Sequence, residues 1–372
     1  MIIKEVKGKT GIKEFIRVPY RIYGSNDKKV FSIELLQKGT LLGKNNPLLR
    51  ENPHKFFIVY DDKGNPVGRI LAGVNEKLNK EKNQNIGFIS LFESINDKSV
   101  AFLLFDEALK YLKKKGVDLV KGPASPTEGD EDRGLLIEGF EYTPTIMNVY
   151  NPPYYVDFFE EYGFQKDTDF YAFLITRQEM NIERCERAVP YAMEKFHFRI
   201  DPLDMKNLKK EVKDIHEVIV NSMPKTWTHL SVPDEGSILT TFKKLKFFID
   251  ESLVYIARSN DRPIGFVAAI PDYNRIIIKL KGKLTLKGVF YLLKERKNID
   301  AMRIFLQFVV PEFQNKGVNS AMFYRLMLEA EKKGYIWGEG STVAEFNEAS
   351  IRSILGIGGK LYKTYRVYQK PL

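Results

Sequence analysis

The stretch FLQFVVPEFQNKGVNSAMFYRLMLEAEKKGY, from Phe305 to Tyr335, decides how this chain is read. It opens as an apolar run of strand length that ends at Val310 and is broken by Pro311. It resumes as an amphipathic pattern that predicts a helix from Asn319 to Lys333. Between the two, the segment from Gln314 to Asn319 must turn sharply, and Gly317 lets the backbone approach a ligand closely because it has no Cβ. The first turn of a helix leaves about four N–H groups without intrahelical partners, and with the helix dipole they suit a pyrophosphate. The predicted binding groups are therefore chiefly the backbone amides of Gln314, Asn315, Lys316, Gly317, Val318, Asn319 and Ser320. Glycine in a strand-loop-helix connection is common, so the flanking sequence has to carry the rest.

Working outward, SLVYIARSNDRPIGFVAAI reads as a hairpin across Asn260 and Asp261, RIFLQFVV as a third strand, and Tyr335 to Val343 as the strand after the helix. The first half repeats that order. FFIVY and PVGRILAGV flank a turn at Asp62 to Asn65, NIGFISLFES follows, then an amphipathic stretch from Val100 to Lys115, then VDLVKGP. Two strands, a turn, a third strand, a helix and a fourth strand recur, which predicts an internal duplication. The fold class expected is α/β, in layered α+β form, with domains at 1–178 and 201–372 joined by a segment at 179–200 that contains a helix and Pro190.

The order hairpin, strand, V-x-P-E-F-Q-x-K-G-V, helix and strand resembles motif A of the GNAT acyltransferase superfamily, whose signature is Q/R-x-x-G-x-G/A. Gln314 and Gly317 match, and Asn319 departs from the usual glycine or alanine. AEFNEASIRSILGIGGKLYKTYRVYQK resembles motif B, with Asn347 at the position that contacts the cofactor's pantetheine arm or its neighbourhood. In the first half, YNPPYYVDFFEEYGFQK echoes the end of motif B, whereas SINDKSVAF has neither the glutamine or arginine nor the glycine of the phosphate loop. Across the whole chain, FIRVPYRIY, LVKGPASPTEGDEDRGLLIEGFEYTPTIMNVYNPPYY and GGKLYKTYRVYQK look like a bacterial family of tandem-GNAT proteins. Bacterial ceramide synthases, which transfer long acyl chains to a sphingoid amine, are similar to this group.

The resemblance implies two GNAT-like domains, each a mixed, centrally splayed sheet flanked by helices, with an acyl-thioester site in the second and none working in the first. It implies acyl-CoA or acetyl-CoA as donor, with acyl-carrier protein as an alternative, and direct attack by an amine acceptor. The N–H of Val309 or Val310 would meet the thioester carbonyl. The position of the superfamily's usual tyrosine acid holds Ile354, which leaves Tyr362 and Tyr365 as substitutes, and Glu345 and Glu339 are the carboxylates placed to act as base. Trp227, in NSMPKTWTHLSVPDEG, falls where superfamily members cover the acceptor. Lys360, Lys363 and Arg366 are cations for acceptor or cofactor anions. Three functions stay open: N-acyl transfer to an amine, long-chain transfer to an amino-lipid, and non-catalytic tandem binding. Aminoacyl transfer from a charged tRNA is a further enzymatic variant, since enzymes of that class are tandem GNAT-like folds.

Composition narrows the partners. A chain of 372 residues with 44% hydrophobic content is long enough for two cores. A single cysteine, Cys185, excludes an internal disulfide, and His54, His197, His216 and His229 show no metal-ligand spacing, so no metal is expected. The net charge of +10 favours an anionic partner: nucleotide phosphates, an acidic carrier protein or an anionic membrane surface. No nucleic-acid recognition motif accompanies that charge, so nucleic acid is not expected as a partner. Without a signal-peptide core or an apolar run of about 18 residues, the expected location is cytoplasmic, with peripheral attachment to the inner membrane as an extension.

Overall fold

The computed structural model describes every residue except 25, 27, 128, 130, 181, 225, 226, 228, 229, 246 and 247, together with the side chains of 244 and 245. In chain order its strands are β1 (Ile2–Val6), β2 (His54–Tyr60), β3 (Pro66–Val74), β4 (Ile86–Ser94), β5 (Leu119–Gly122), β6 (Leu135–Glu138) and β7 (Gln165–Thr176). They continue as β8 (Arg199–Pro202), β9 (Val254–Ser259), β10 (Arg262–Pro271), β11 (Ala301–Val309), β12 (Trp337–Ala344) and β13 (Lys360–Pro371). The helices are α1 (Gly8–Tyr23), α2 (Glu34–Leu41), α3 (Pro47–Glu51), α4 (Glu76–Lys82), α5 (Lys98–Lys114), α6 (Tyr154–Glu161) and α7 (Ile182–Lys195). After them come α8 (Leu208–Ser222), α9 (Glu235–Leu245), α10 (Asn274–Leu280), α11 (Leu286–Glu295), α12 (Val318–Lys332) and α13 (Glu348–Gly356). The strands at β2 to β5 and β9 to β12 and the helices α5 and α12 fall within a residue or two of where the hydrophobic periodicity places them, and the class is α/β.

Two compact units alternate along the chain. The first holds Met1–Phe170, Tyr273–Lys297 and Lys363–Leu372; the second holds Tyr171–Asp272 and Asn298–Tyr362. The sequence divides at 179–200, whereas in the structure that span is α7 and the start of β8, inside the second unit. Cys185, Val189 and Ala192 of α7 are buried in that unit's core.

In the first unit the strands run β1, β2, β3, β4, β5 and then the C-terminal part of β13, with β6 also paired to β13. Its ladders are antiparallel except for β4 with β5, which are joined through α5 as a parallel pair requires. The β2–β3 turn is fixed by Asp61, whose carboxylate accepts from the amides of Lys63 and Asn65. Val100, Ala101, Leu104, Phe105, Ala108 and Leu112 of α5 are wholly buried. Gly68 of β3 permits that approach, since a Cβ there would stand 2.8 Å from Val100 and 2.9 Å from Leu104.

In the second unit the order is β12, β11, β10, β9, β8. One apolar cluster joins α7, α12 and the inner residues of β9 to β11, and another joins α8 and α9 to Ile256, Phe266, Ala268 and Phe308 of the same strands. The sheet is thus covered by helices through two separate sets of side chains, because alternate strand residues face opposite ways.

Candidate functional site

Strands β11 and β12 pair in parallel from Ala301 opposite Trp337 to Ile304 opposite Gly340, and the ladder stops there. Both strands continue, β11 to Val309 and β12 to Ala344, so the sheet splays at this point. Along its other edge β11 stays antiparallel to β10, with Val309 opposite Gly265. The Val310 amide donates to the Ile264 carbonyl at 2.9 Å. Hydrogen-bonded and non-bonded pairs alternate along such a ladder, so Val309 sits in a non-bonded pair and its N–H points away from β10, into the splay. Of the two amides the sequence offers to a carbonyl, that of Val310 is committed to the sheet; this corrects its assignment.

After Val310 the chain makes one 3-10 turn over Pro311–Phe313 and enters the loop. The Gln314 side-chain amide donates to the Val309 carbonyl at 3.3 Å, tying the loop to the end of the strand. Asn315 has φ +60° and Gly317 φ +81°, both left-handed. Asparagine tolerates that region, and at 317 a Cβ would also lie 2.8 Å from Ala192 Cβ of α7. Gly317 is therefore required by backbone and neighbour alike. It is the N-cap of α12, and no side chain caps this end, which leaves the amides of Val318, Asn319 and Ser320 as the open first turn. Lys316 Nζ lies 4.9 Å from the Phe313 ring centroid and 5.7 Å from that of Phe196, held beside the loop by aromatic faces. Asn319 Oδ1 is buried with no hydrogen-bond partner among the described residues.

At the root of the splay lies a buried polar network. Glu339, on β12, is 0% exposed and is opposite Arg303 in the β11 register. The Ser341 hydroxyl donates to Glu339 Oε1 at 2.5 Å, and the Tyr362 hydroxyl donates to Oε2. Arg303 Nε donates to Ser341 Oγ at 3.0 Å and its Nη2 to the Ser341 carbonyl at 3.3 Å. Both carboxylate oxygens are thus occupied, as a buried charge demands. Tyr362 is half-buried and forms the outer end of the chain of contacts. Sequence reading found Glu339 and Tyr362 without joining them, and it missed Arg303 and Ser341. Arg303 did leave a trace: the one charged residue in a mostly apolar strand.

The remaining candidates separate. Tyr365, the other substitute acid, is buried in β13 opposite Leu136, in the first unit. Glu345 is half-buried in the turn after β12. Asn347 caps α13, its Oδ1 accepting from the Ser350 amide at 3.2 Å. Trp227 meets Phe308 of β11 edge-on at 6.0 Å, and Phe308 stacks on Phe266 at 5.7 Å. The cations of the last strand are taken by the protein: Lys360 pairs with Glu179, Lys363 donates to the Thr143 carbonyl at 3.0 Å, and Arg366 grips Asp169 at 2.7 and 3.0 Å. His229 lies outside the described residues.

The first unit treats the equivalent helix end differently. Asp97 caps α5, its Oδ1 accepting from the Ser99 amide at 2.9 Å and from the Ser99 hydroxyl at 2.6 Å, and the Ser99 hydroxyl hydrogen bond leads in holding its carboxyl below the usual range. A carboxylate thus closes the first turn that α12 leaves open. That unit instead has a partly open polar pocket of about 90 Å³, whose walls include Tyr20, Tyr23, Arg69, Glu93, Asp132 and Tyr155. Glu93 is satisfied there by Lys29 at 3.1 Å and by the Tyr155 hydroxyl at 2.9 Å. Sequence reading missed the pocket, although Arg69 and Glu93 also stand as charges in apolar strands.

A tandem GNAT protein from the clavulanic acid biosynthesis pathway superposes with a TM-score of 0.57 over 100% of this chain and 98% of its own, at 8% identity. The chain has the fold of a tandem GCN5-related N-acetyltransferase. A GNAT protein from Sphaerobacter thermophilus gives 0.55 over 100% of this chain and 95% of that one, at 9% identity. The GCN5-related glucosamine N-acetyltransferase region of a fungal multi-domain β-N-acetylglucosaminidase gives 0.58 at 15% identity, over 99% of this chain and 38% of that one. No protein-family model matches the chain. By sequence, this tandem GNAT fold is 27% identical to the bacterial ceramide synthase of Caulobacter vibrioides (strain NA1000 / CB15N), over 99% of this chain and 96% of the relative. It is 24% identical to Protein YghO of Escherichia coli (strain K12), over 100% and 95%. Among the described residues no cluster of His, Cys, Asp or Glu is placed to hold a metal, and no helix is long and apolar enough to cross a membrane.

Proposed function

We propose that the second unit is an N-acyltransferase that takes an acyl group from an acyl-CoA, or from the same pantetheine arm on a carrier protein, and gives it to an amine. The observation that carries this reading is the uncapped N-terminus of α12, entered through Gly317 beside the splayed end of β11. In this reading the amides of Val318, Asn319 and Ser320 hold the pyrophosphate and Lys316 adds charge beside it. The Val309 N–H meets the thioester carbonyl as negative charge develops on its oxygen. The attacking amine passes its proton to the Tyr362 oxygen while Tyr362 passes its own to Glu339, so Glu339 is the proton's destination and Tyr362 the group that meets substrate. Ser341 and Arg303 position the carboxylate. The C–N bond forms, the C–S bond breaks, and the thiolate takes up a proton from water while Glu339 returns the amine's proton to solvent through Tyr362, so no net proton is gained or lost.

The long-chain variant is supported by the Caulobacter relative's name and by the half-buried Phe305, Leu306 and Phe308, which line β11 with Trp227 against Phe308. The test is release of free thiol from acyl-CoA donors of increasing chain length, offered with amine acceptors from small amines to sphingoid bases. Tyr362→Phe should lower kcat by about 10²-fold or more while leaving CoA affinity within a factor of two or so. Full activity in that variant excludes the proton path, and no thiol release from any donor excludes the enzyme.

A further inference from the structure

Helix α11 carries a surface that the cores leave unused. Leu286 is 91% exposed, Phe290 71%, Leu293 53% and Val289 38%, and Leu284 just before the helix is 39% exposed. Positions 286, 289, 290 and 293 repeat with helical spacing, so these side chains form one stripe, and Gly288 is the helix's buried residue. A second helix adds to it. The Glu34 amide, at the start of α2, donates to the Gly282 carbonyl at 2.9 Å, which brings the next two residues, Leu35 and Leu36, to the chain just before α11. Both are mostly exposed.

The charge around the stripe has one sign. Lys279, Lys281, Lys283, Lys287, Lys294, Arg296 and Lys297 are all exposed, and Glu295 is the single acid between 279 and 297. Scattered exposed leucines need no explanation, but a contiguous stripe of Leu, Val and Phe kept in water is costly and marks a contact surface. The stripe projects from a helix and is not sunk in a groove, and lysine stems can lie along an apolar layer while their heads reach anions above it. That is the pattern of a helix lying in a bilayer interface, apolar face toward the acyl chains and cations at the phosphates.

We propose that α11, with Leu284, Leu35 and Leu36, docks the protein onto an anionic lipid bilayer. The proposal stands apart from the acyl-transfer reading, because it concerns binding alone. The full chain is to be sedimented with vesicles of phosphatidylcholine, with and without phosphatidylglycerol, at low salt and at about 0.5 M salt. Binding to the phosphatidylglycerol vesicles is expected, weakened about 10-fold or more by the salt and by the double variant Leu286→Glu, Phe290→Glu. The paired variant Lys283→Glu, Lys287→Glu should weaken it as well, and none of these variants should change the melting temperature or CoA affinity. Absence of binding, equal binding by the apolar-stripe variant, or a concentration-dependent dimer of the wild type that the variant abolishes would each overturn the proposal, the last by assigning the stripe to a second copy of the chain.

Discussion

Asp132 faces the first unit's pocket with φ +55°, and burial, reinforced by the charge of Glu131, pushes its carboxyl up to about 6 against the pull of Lys29 and Arg69. The folded state therefore holds this proton more tightly than the unfolded chain does, where the usual value is 3.8. Its contribution to stability is complete below about pH 4 and is lost as pH rises through about 6. Asp132→Asn should remove that loss, raising stability at pH 7.5 by about 1 to 3 kcal/mol and flattening the slope between about pH 4 and 6 in urea unfolding. An unchanged slope would place the ionisation elsewhere. Asn319 is a second residue at odds with its place: its buried Oδ1 has no partner among the described residues, and asparagine is a poor former of helix. Asn319→Ala should stabilise by about 1 kcal/mol with no loss of CoA affinity, read by thermal unfolding with and without CoA.

Helices α5 and α12 follow strands in the same order and differ at their first turn. Asp97 closes α5, while Gly317 leaves α12 open. Asp97→Ala should cost the first unit about 1 kcal/mol by denaturant unfolding. The absence of glutamine and glycine from S-I-N-D-K-S was legible in the sequence, but the caps were not: Q-N-K-G-V-N-S holds Asn315, Asn319 and Ser320, each of a type that caps helices, and only the fold puts Gly317 at that position. The splay was legible only through the family resemblance, since a ladder that ends at Ile304 depends on how two distant strands pack. The choice between Val309 and Val310 was not legible, because it turns on the phase of hydrogen bonding with β10. The joining of Glu339, Ser341, Arg303 and Tyr362 was hidden for the same reason: four residues on three strands meet only once their register is set.

Across the whole molecule the compact units take turns with the chain, and the last ten residues, Lys363–Leu372, belong to the unit that contains the first. Tyr368 and Lys370 pair with Gly122 and Val120 of β5, and Tyr365 pairs with Leu136 of β6. A chain ending at Tyr362 should therefore lose amide-exchange protection in β5 and β6 of the first unit, although it lacks no residue of the second; retained protection would contradict the division. Sequence reading could count two cores and find their motifs, but local periodicity does not say which core a strand joins. In the proposed acyl-transfer reading, the first turn of α12 is an anion site for a nucleotide thioester. Calorimetric titration of CoA into the wild type and into Ser320→Asp is the decisive measurement. A carboxylate in that turn suits the helix dipole and keeps the fold, yet repels a pyrophosphate. The wild type should bind CoA and Ser320→Asp should bind it at least about 10-fold more weakly, with a melting temperature no lower in the absence of CoA. Equal affinity for the two proteins, or no binding by either, would contradict that reading.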